Sequence, residues 1–260
     1  MTALAARRRH PLAGVVLVLL GLVATGVLYA AFTPGRAGAA QDQDSDVAAG
    51  RALFLANCAT CHGIDAAGRD NAPSLIGVGA ASVDFQVGTG RMPLQATGPQ
   101  APQSAVHFTP EQVSQLAAYV ASLGPGPAIP SAEDVDPAKG DPSRGAAIFR
   151  TNCAMCHNFA GKGGALTRGK YAPNLSTTTP THIFEAMLSG PQSMPVFDDQ
   201  TITPQDKRDI IAYLQTTNDE PTPGGFSLGF LGPVNEGLVG WVFGIVVIIG
   251  TAVWLASKSS

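Results

Sequence analysis

Charge is scarce in this sequence: only 13% of its 260 residues are Asp, Glu, Lys or Arg. No cysteine lies outside two pentapeptides, Cys58-Ala59-Thr60-Cys61-His62 and Cys153-Ala154-Met155-Cys156-His157. No thiol is therefore left over for a structural disulfide or a free nucleophile. A basic excess is also missing: 16 Lys and Arg stand against 19 Asp and Glu, which disfavours a nucleic-acid role. Methionine is rare, with five in the chain including the initiator. The abundant residues are Gly, with 30, and Pro, with 20, a composition of short helices and irregular loops rather than of a large enzyme with a deep core.

The two pentapeptides carry the chemistry. A lone C-x-x-C reads equally as a redox dithiol or as half a zinc site, but a His directly after the second Cys changes the reading. Two thiols at this spacing form thioethers to the two vinyl groups of one haem, and the adjacent His lies under the iron as axial ligand. A zinc site pooling both pairs leaves each flanking His unexplained. The expectation is two haem c groups, held covalently by Cys58, Cys61, Cys153 and Cys156 and ligated by His62 and His157.

Two uncharged runs bracket these motifs. Leu12 to Phe32 holds 21 residues, which as a helix spans roughly 31 Å, about the hydrocarbon thickness of a bilayer. Arg7-Arg8-Arg9 before it places the N-terminus in the cytoplasm by the positive-inside rule. A cleaved signal ending at Ala37-Gly38-Ala39-Ala40 is the competing reading, and the run is long for a signal core of about 7–15 residues. The second run, Leu238 to Ala256, has Trp241 and Trp254 near its ends and Lys258 after it. Gly240-x-x-x-Gly244 inside it is either a close-packing surface or ordinary membrane-helix glycine. Between the runs, twelve basic residues face nineteen acidic ones, so the expected extracytoplasmic part is acidic. The expected location is the cell membrane, multi-pass, with the motif regions outside.

The stretch between the runs repeats. Gly50, Phe54, Asn57, Cys58 and Cys61 recur at an offset of 95 as Gly145, Phe149, Asn152, Cys153 and Cys156. Each copy closes alike, with Thr109-Pro110-Glu111-Gln112 and Thr203-Pro204-Gln205-Asp206 as helix starts leading to Tyr119 and Tyr213. Val113, Leu116, Val120 and Leu123 form an apolar stripe at helical spacing, and Ile210, Ile211 and Leu214 repeat it. Gly124 to Pro142 is rich in Pro, Gly and acid and reads as a partly extended linker. Gln41 to Asp46 reads as a polar spacer, and Thr222 to Pro233 as a Gly/Pro linker.

Each iron needs a sixth ligand. Met-Pro occurs once in each copy, as Met92-Pro93 and Met194-Pro195, and a thioether opposite His favours ferrous iron. The plainer role for both methionines is core filler. His107 and His182 are rival ligands, with surface or packing roles as their plainer reading. Ala72-Pro73 and Ala172-Pro173 also recur, 11 and 16 residues after their His counted to the Pro. The Pro carbonyl in each is placed to accept the Nδ1–H of the axial His and fix its tautomer, with a plain turn as the alternative.

Together these features resemble class I cytochrome c domains over residues 46–124 and 142–218, joined by 125–141. The resemblance implies an all-α fold of two tandem class I cytochrome c domains between transmembrane helices at 12–32 and 238–256. It also implies that Gly50 and Phe54 meet Tyr119, and that Gly145 and Phe149 meet Tyr213. The whole layout is similar to the dihaem cytochrome c subunits of actinobacterial cytochrome bcc complexes. That family implies a subunit of a quinol–cytochrome c reductase, a translocase, with no catalytic site of its own. Its partners would be a cytochrome b subunit, a Rieske iron–sulfur protein and an aa-type cytochrome c oxidase. Electrons would enter at the first haem and leave from the second. The dihaem subunit of a cbb-type oxidase, the electron acceptor of a periplasmic dehydrogenase and a dihaem peroxidase are the alternatives. The first is usually anchored from its N-terminal side, and the last needs an open iron site that two Met-Pro loops argue against.

Overall fold

The computed structural model describes residues 12–32, 36–96, 98–219 and 233–258. It is mostly helical, and contacts divide the chain into two units, Met1–Asp46 and Val47–Ser260. The first unit holds α1 (Ala13–Phe32). Arg7-Arg8-Arg9 and most of Thr222–Pro233 lie outside the described residues. The spacer expected at Gln41–Asp46 is helical, within α2 (Arg36–Asn57). Polar composition does not exclude a helix, because Ala-rich sequence without proline propagates helix readily.

Two cores, one around each pentapeptide, form the second unit. The first joins α2, the short turn α3 (Ala59–His62), α4 (Gly79–Gly88) and α5 (Pro110–Ser122). Phe54, Val83, Val113, Leu116 and Val120 make its interior. Helix α5 starts where the Thr-Pro signal puts it. The Thr109 hydroxyl accepts from the Gln112 N–H at 3.2 Å, and the Gln112 side chain accepts from the Thr109 N–H at 3.0 Å.

The second core joins α6 (Pro142–Asn152), α7 (Ala154–His157), α8 (Pro180–Ser189) and α9 (Pro204–Asp219). Phe149, Ile183, Phe184, Ile210 and Leu214 fill it. Asp141 caps α6 through the Ser143 and Arg144 N–H groups, and Thr203 with Asp206 repeats the reciprocal cap at α9. Between α7 and α8 the chain inserts a small hairpin, β1 (Gly164–Ala165) against β2 (Tyr171–Ala172), antiparallel with Gly164 opposite Ala172.

The first and last helices of each copy cross at a glycine. A Cβ on Gly50 would overlap the Gln115 carbonyl, and one on Gly145 would overlap the Asp209 carbonyl. One turn on, Phe54 stacks on Tyr119 with centroids 5.2 Å apart, and Phe149 on Tyr213 at 5.5 Å. Both phenylalanines are 1% exposed, and burying each contributes roughly 2–3 kcal/mol. The crossing glycine of the second copy therefore meets Asp209, a turn before Tyr213.

The segment read as an extended linker is tied down. Gly126 lies against Gly79 at the start of α4, and the Ala81 N–H donates to the Pro127 carbonyl at 3.1 Å. Helix α10 (Pro233–Ser257) follows. Among the described residues its part Glu236–Ser257 alone is long and apolar enough to cross a membrane, with 22 residues at mean hydropathy 2.4. The apolar stretch of α1, Ala13–Tyr29, is shorter.

Candidate haem-binding site

Each pentapeptide begins where a core helix stops. The Cys58 N–H donates to the Phe54 carbonyl at 2.8 Å and the Cys153 N–H to the Phe149 carbonyl at 2.8 Å. The next turn closes through His62 N–H to Cys58 O and His157 N–H to Cys153 O, both 2.9 Å. This one turn carries both thiols and the imidazole of each motif, with Cys58 and Cys153 packed against the two cores.

The ring orientation is set by the recurring prolines. His62 Nδ1 lies 2.8 Å from the Pro73 carbonyl, and His157 Nδ1 lies 3.2 Å from the Pro173 carbonyl. A carbonyl only accepts, so the proton sits on Nδ1 and the Nε2 lone pair is left for a metal. The gap from His to Pro is five residues longer in the second copy, and the β1–β2 hairpin absorbs it. Burial lowers the His157 pKa, with the bond to Pro173 opposing, and so favours the neutral ring that a metal needs.

Met92 packs on the first core and Met194 on the second. The Met92 N–H donates to Gln86 O at 2.9 Å, and the Met194 N–H to Pro191 O at 3.0 Å. Cys153, Cys156, His157 and Met194 all line one cavity of about 440 Å³, walled by Leu175 and Leu214. Burial, and then the neighbouring Cys of each motif, pushes the Cys58 and Cys153 thiols up to about 11. Such thiols stay neutral near pH 7, unlike the depressed thiols of nucleophilic cysteines.

The cavity fits a haem. It is apolar, it offers two thiols, an oriented imidazole and a thioether, and it has a cation for a carboxylate. Arg91, 9% exposed, lines it from the first copy. Its guanidinium donates to Thr89 Oγ1 at 2.6 Å and lies 4.8 Å over the Phe85 ring, and no carboxylate pairs with it among the described residues. A buried cation without a counter-ion is costly. A haem carboxylate would supply one. Around the first motif the donor set is the same, with Cys58 and Met92 on one core.

The rival histidines are otherwise engaged. His107 is exposed, 3.3 Å from the Gln95 amide. His182 does line the second cavity, but its Nε2 is 3.6 Å from Asp84, and its ring meets Phe85 edge-on at 6.1 Å. Arg91 was visible beside Met92 in the sequence, yet nothing local showed that it faces the other motif. That facing comes from α4 packing on α8, with Gln100 bonded to both backbone groups of Tyr171 at 2.9 Å and Gln192 accepting from the Ala101 N–H at 3.1 Å.

Paired thiols with an oriented His on a small helical core define a c-type cytochrome, a protein that binds haem c and transfers electrons. The family described as "Cytochrome c" matches residues 47–124, and "Cytochrome C oxidase, cbb3-type, subunit III" matches 140–214. The cytochrome bc1 complex cytochrome c subunit of Corynebacterium efficiens is 44% identical over 96% of this chain and 90% of its own length. That of Mycobacterium tuberculosis H37Rv is 43% identical over 97% and 93%. The cbb3-type cytochrome c oxidase subunit FixP of Sinorhizobium medicae is 34% identical over only 52% and 46%. The chain belongs to the family of cytochrome bc1 complex cytochrome c subunits.

Proposed function

We propose that this chain is the dihaem cytochrome c subunit of a quinol–cytochrome c reductase (bcc) complex, a translocase. It carries electrons from a Rieske iron–sulfur protein, beside a cytochrome b subunit, to an aa-type oxidase. The observation that carries the electron-transfer reading is the pair of histidines, each committing Nδ1 to a proline carbonyl and keeping Nε2 for iron. The names of the full-length relatives support the complex. Residues 46–124 and 142–218 are the two tandem class I domains, with 125–141 between them. Residues 12–32 and 238–256 are the membrane spans, and the domains lie on the outer face.

In this reading Cys58 and Cys61 hold one haem, ligated by His62 and Met92. Cys153 and Cys156 hold the other, ligated by His157 and Met194. Haem c, when bound, supplies one-electron exchange between ferric and ferrous iron. The chain's own groups set its terms. The proline carbonyls hold each imidazole in the ligating tautomer. Met92 and Met194 would each hold the iron through sulfur, which would favour the ferrous state. Arg91 offsets carboxylate charge in the second cavity, and the apolar walls exclude water. The α4–α8 contact holds the two sites in one unit.

Affinity purification of the full-length protein from its native membrane tests this. Co-purification of b-type haem with a Rieske electron paramagnetic resonance signal is expected. An oxidase core alone would favour the cbb-type reading that the second-half match raises, and a dehydrogenase would refute both.

A further inference from the structure

One group in the second core has no role in haem binding. Glu185 is fully buried on α8, and the one group its carboxylate oxygens meet is another carboxyl, that of Asp84. His182 lies one turn before it on the same face, as His-x-x-Glu. Asp84 reaches the same point from α4 of the other copy. One ligand atom from each of the three lies within 4.8 Å of the others. Two acceptor-only carboxylates that meet at a largely buried point need a cation or a proton between them.

We propose that Asp84, His182 and Glu185 form a divalent-metal site of the zinc class that clips the first copy to the second. Three arguments favour a metal. Two carboxylates and a neutral imidazole balance a divalent charge, so a buried site becomes neutral as a whole. One nitrogen with two oxygens is a donor set for zinc-like ions, whereas calcium takes six to eight oxygens and magnesium a near-ideal octahedron. Asp84 and His182 keep 23% and 20% of their side chains exposed, which leaves a path for the ion and freedom to close around it. Burial, followed by the charge and the hydrogen bond of Asp84, raises the Glu185 pKa, so without a cation a proton must sit between the two carboxyls. The fourth position on such an ion would face the exposed side and take water. The site's work is mechanical: the wall of the second cavity includes His182 and Phe85, so the clip would hold that wall in place.

The test uses the full-length, haem-loaded protein in detergent, stripped with a chelator and titrated with zinc chloride against a competing chromophoric chelator. One saturable zinc site per chain is expected, with a higher thermal midpoint in zinc. Glu185→Gln or Asp84→Asn should weaken binding by about a hundredfold or more, since even outer-shell changes at metal sites cost roughly 10–100-fold. The haem absorption spectrum should stay unchanged in both variants. X-ray absorption at the zinc edge should show nitrogen and oxygen neighbours without sulfur. Equal zinc affinity in wild type and Asp84→Asn would overturn the proposal, as would sulfur in the first shell or no saturable site, the result expected if the carboxyls share a proton. If Glu185→Gln fails to fold, Asp84→Asn, at a partly exposed position, decides alone. None of these readouts depends on the protein's partners or on electron transfer.

Discussion

Replacing Gly145 by alanine sets two effects of known sign against each other. Alanine is the better helix former, and at an unhindered helical position the change stabilises by roughly 0.5–1 kcal/mol. At Gly145, however, a Cβ would overlap the Asp209 carbonyl and lie 2.9 Å from the Ile210 nitrogen. These are backbone atoms of α9, so no side chain can swing aside, and α6 and α9 must move apart. Overpacking of this kind costs about 1–3 kcal/mol. The movement also loosens Phe149, 1% exposed and stacked on Tyr213, whose hydroxyl donates to the Phe159 carbonyl beside the second motif. Partial loss of that burial adds on the order of 1 kcal/mol. The net expectation is a destabilisation of about 1–3 kcal/mol, with overlap outweighing propensity. Gly240→Ala is the control, because a Cβ there meets no atom within 4 Å. Denaturant titration followed at the haem absorbance should shift the midpoint downward for Gly145→Ala and leave Gly240→Ala at or above wild type. A Gly145→Ala midpoint equal to wild type would refute the reasoning.

Met92→Ala and Met194→Ala should each lower the potential of one haem and let carbon monoxide bind its reduced iron, since each removes the proposed loop ligand. Unchanged potentials and no carbon monoxide binding in either variant would remove the methionines as ligands. Arg91→Gln withdraws a buried positive charge from the second cavity. A cation favours the site that gains an electron, so the potential of one haem should fall in a redox titration, its reduction becoming less favourable by on the order of 1–2 kcal/mol, and no fall would argue against a haem carboxylate beside it. In zinc-free protein Glu185, pushed up to about 9, holds a proton when folded that the unfolded chain releases from about 4.5. Stability should therefore decline as pH rises through that window, and Glu185→Gln should flatten the decline in thermal melts. Asp84, whose carboxyl the His182 bond holds below its ordinary value, loses its contribution only at more acid pH, and no described contact places another acid in this cluster. Parallel pH profiles for wild type and Glu185→Gln would count against this account.

What could be read from the sequence was local. Helix starts at Thr109 and Thr203 are legible because a cap is an i to i+3 interaction carried by adjacent residues. The pentapeptides are contiguous, and the two proline carbonyls were found by their recurrence. The helix through the Gln41–Asp46 spacer is not legible in the sequence, because polar composition alone does not report conformation. The packing of the Gly126 segment onto Gly79 was invisible for a different reason: the contact runs through backbone at glycine, which leaves no side-chain pattern.

The site features that escaped the sequence, Arg91 and the Asp84–His182 contact, share one cause, namely that they lie between the repeats. Duplication explains why the copies look alike, and so directs attention to positions with a counterpart at the 95-residue offset. The positions that join the copies cannot obey that symmetry, because α4 of the first faces α8 of the second. His182 has no counterpart in the first copy, and it is the residue that Asp84 and Phe85 meet across this contact. Arg91 belongs to the first copy by sequence and to the second cavity by geometry. In a duplicated electron carrier, the departures from the repeat are thus the residues to examine for coupling. The matched residues supply the thiols, imidazoles and proline carbonyls of each site, and the unmatched ones, Arg91 and His182 among them, make the contacts between the copies.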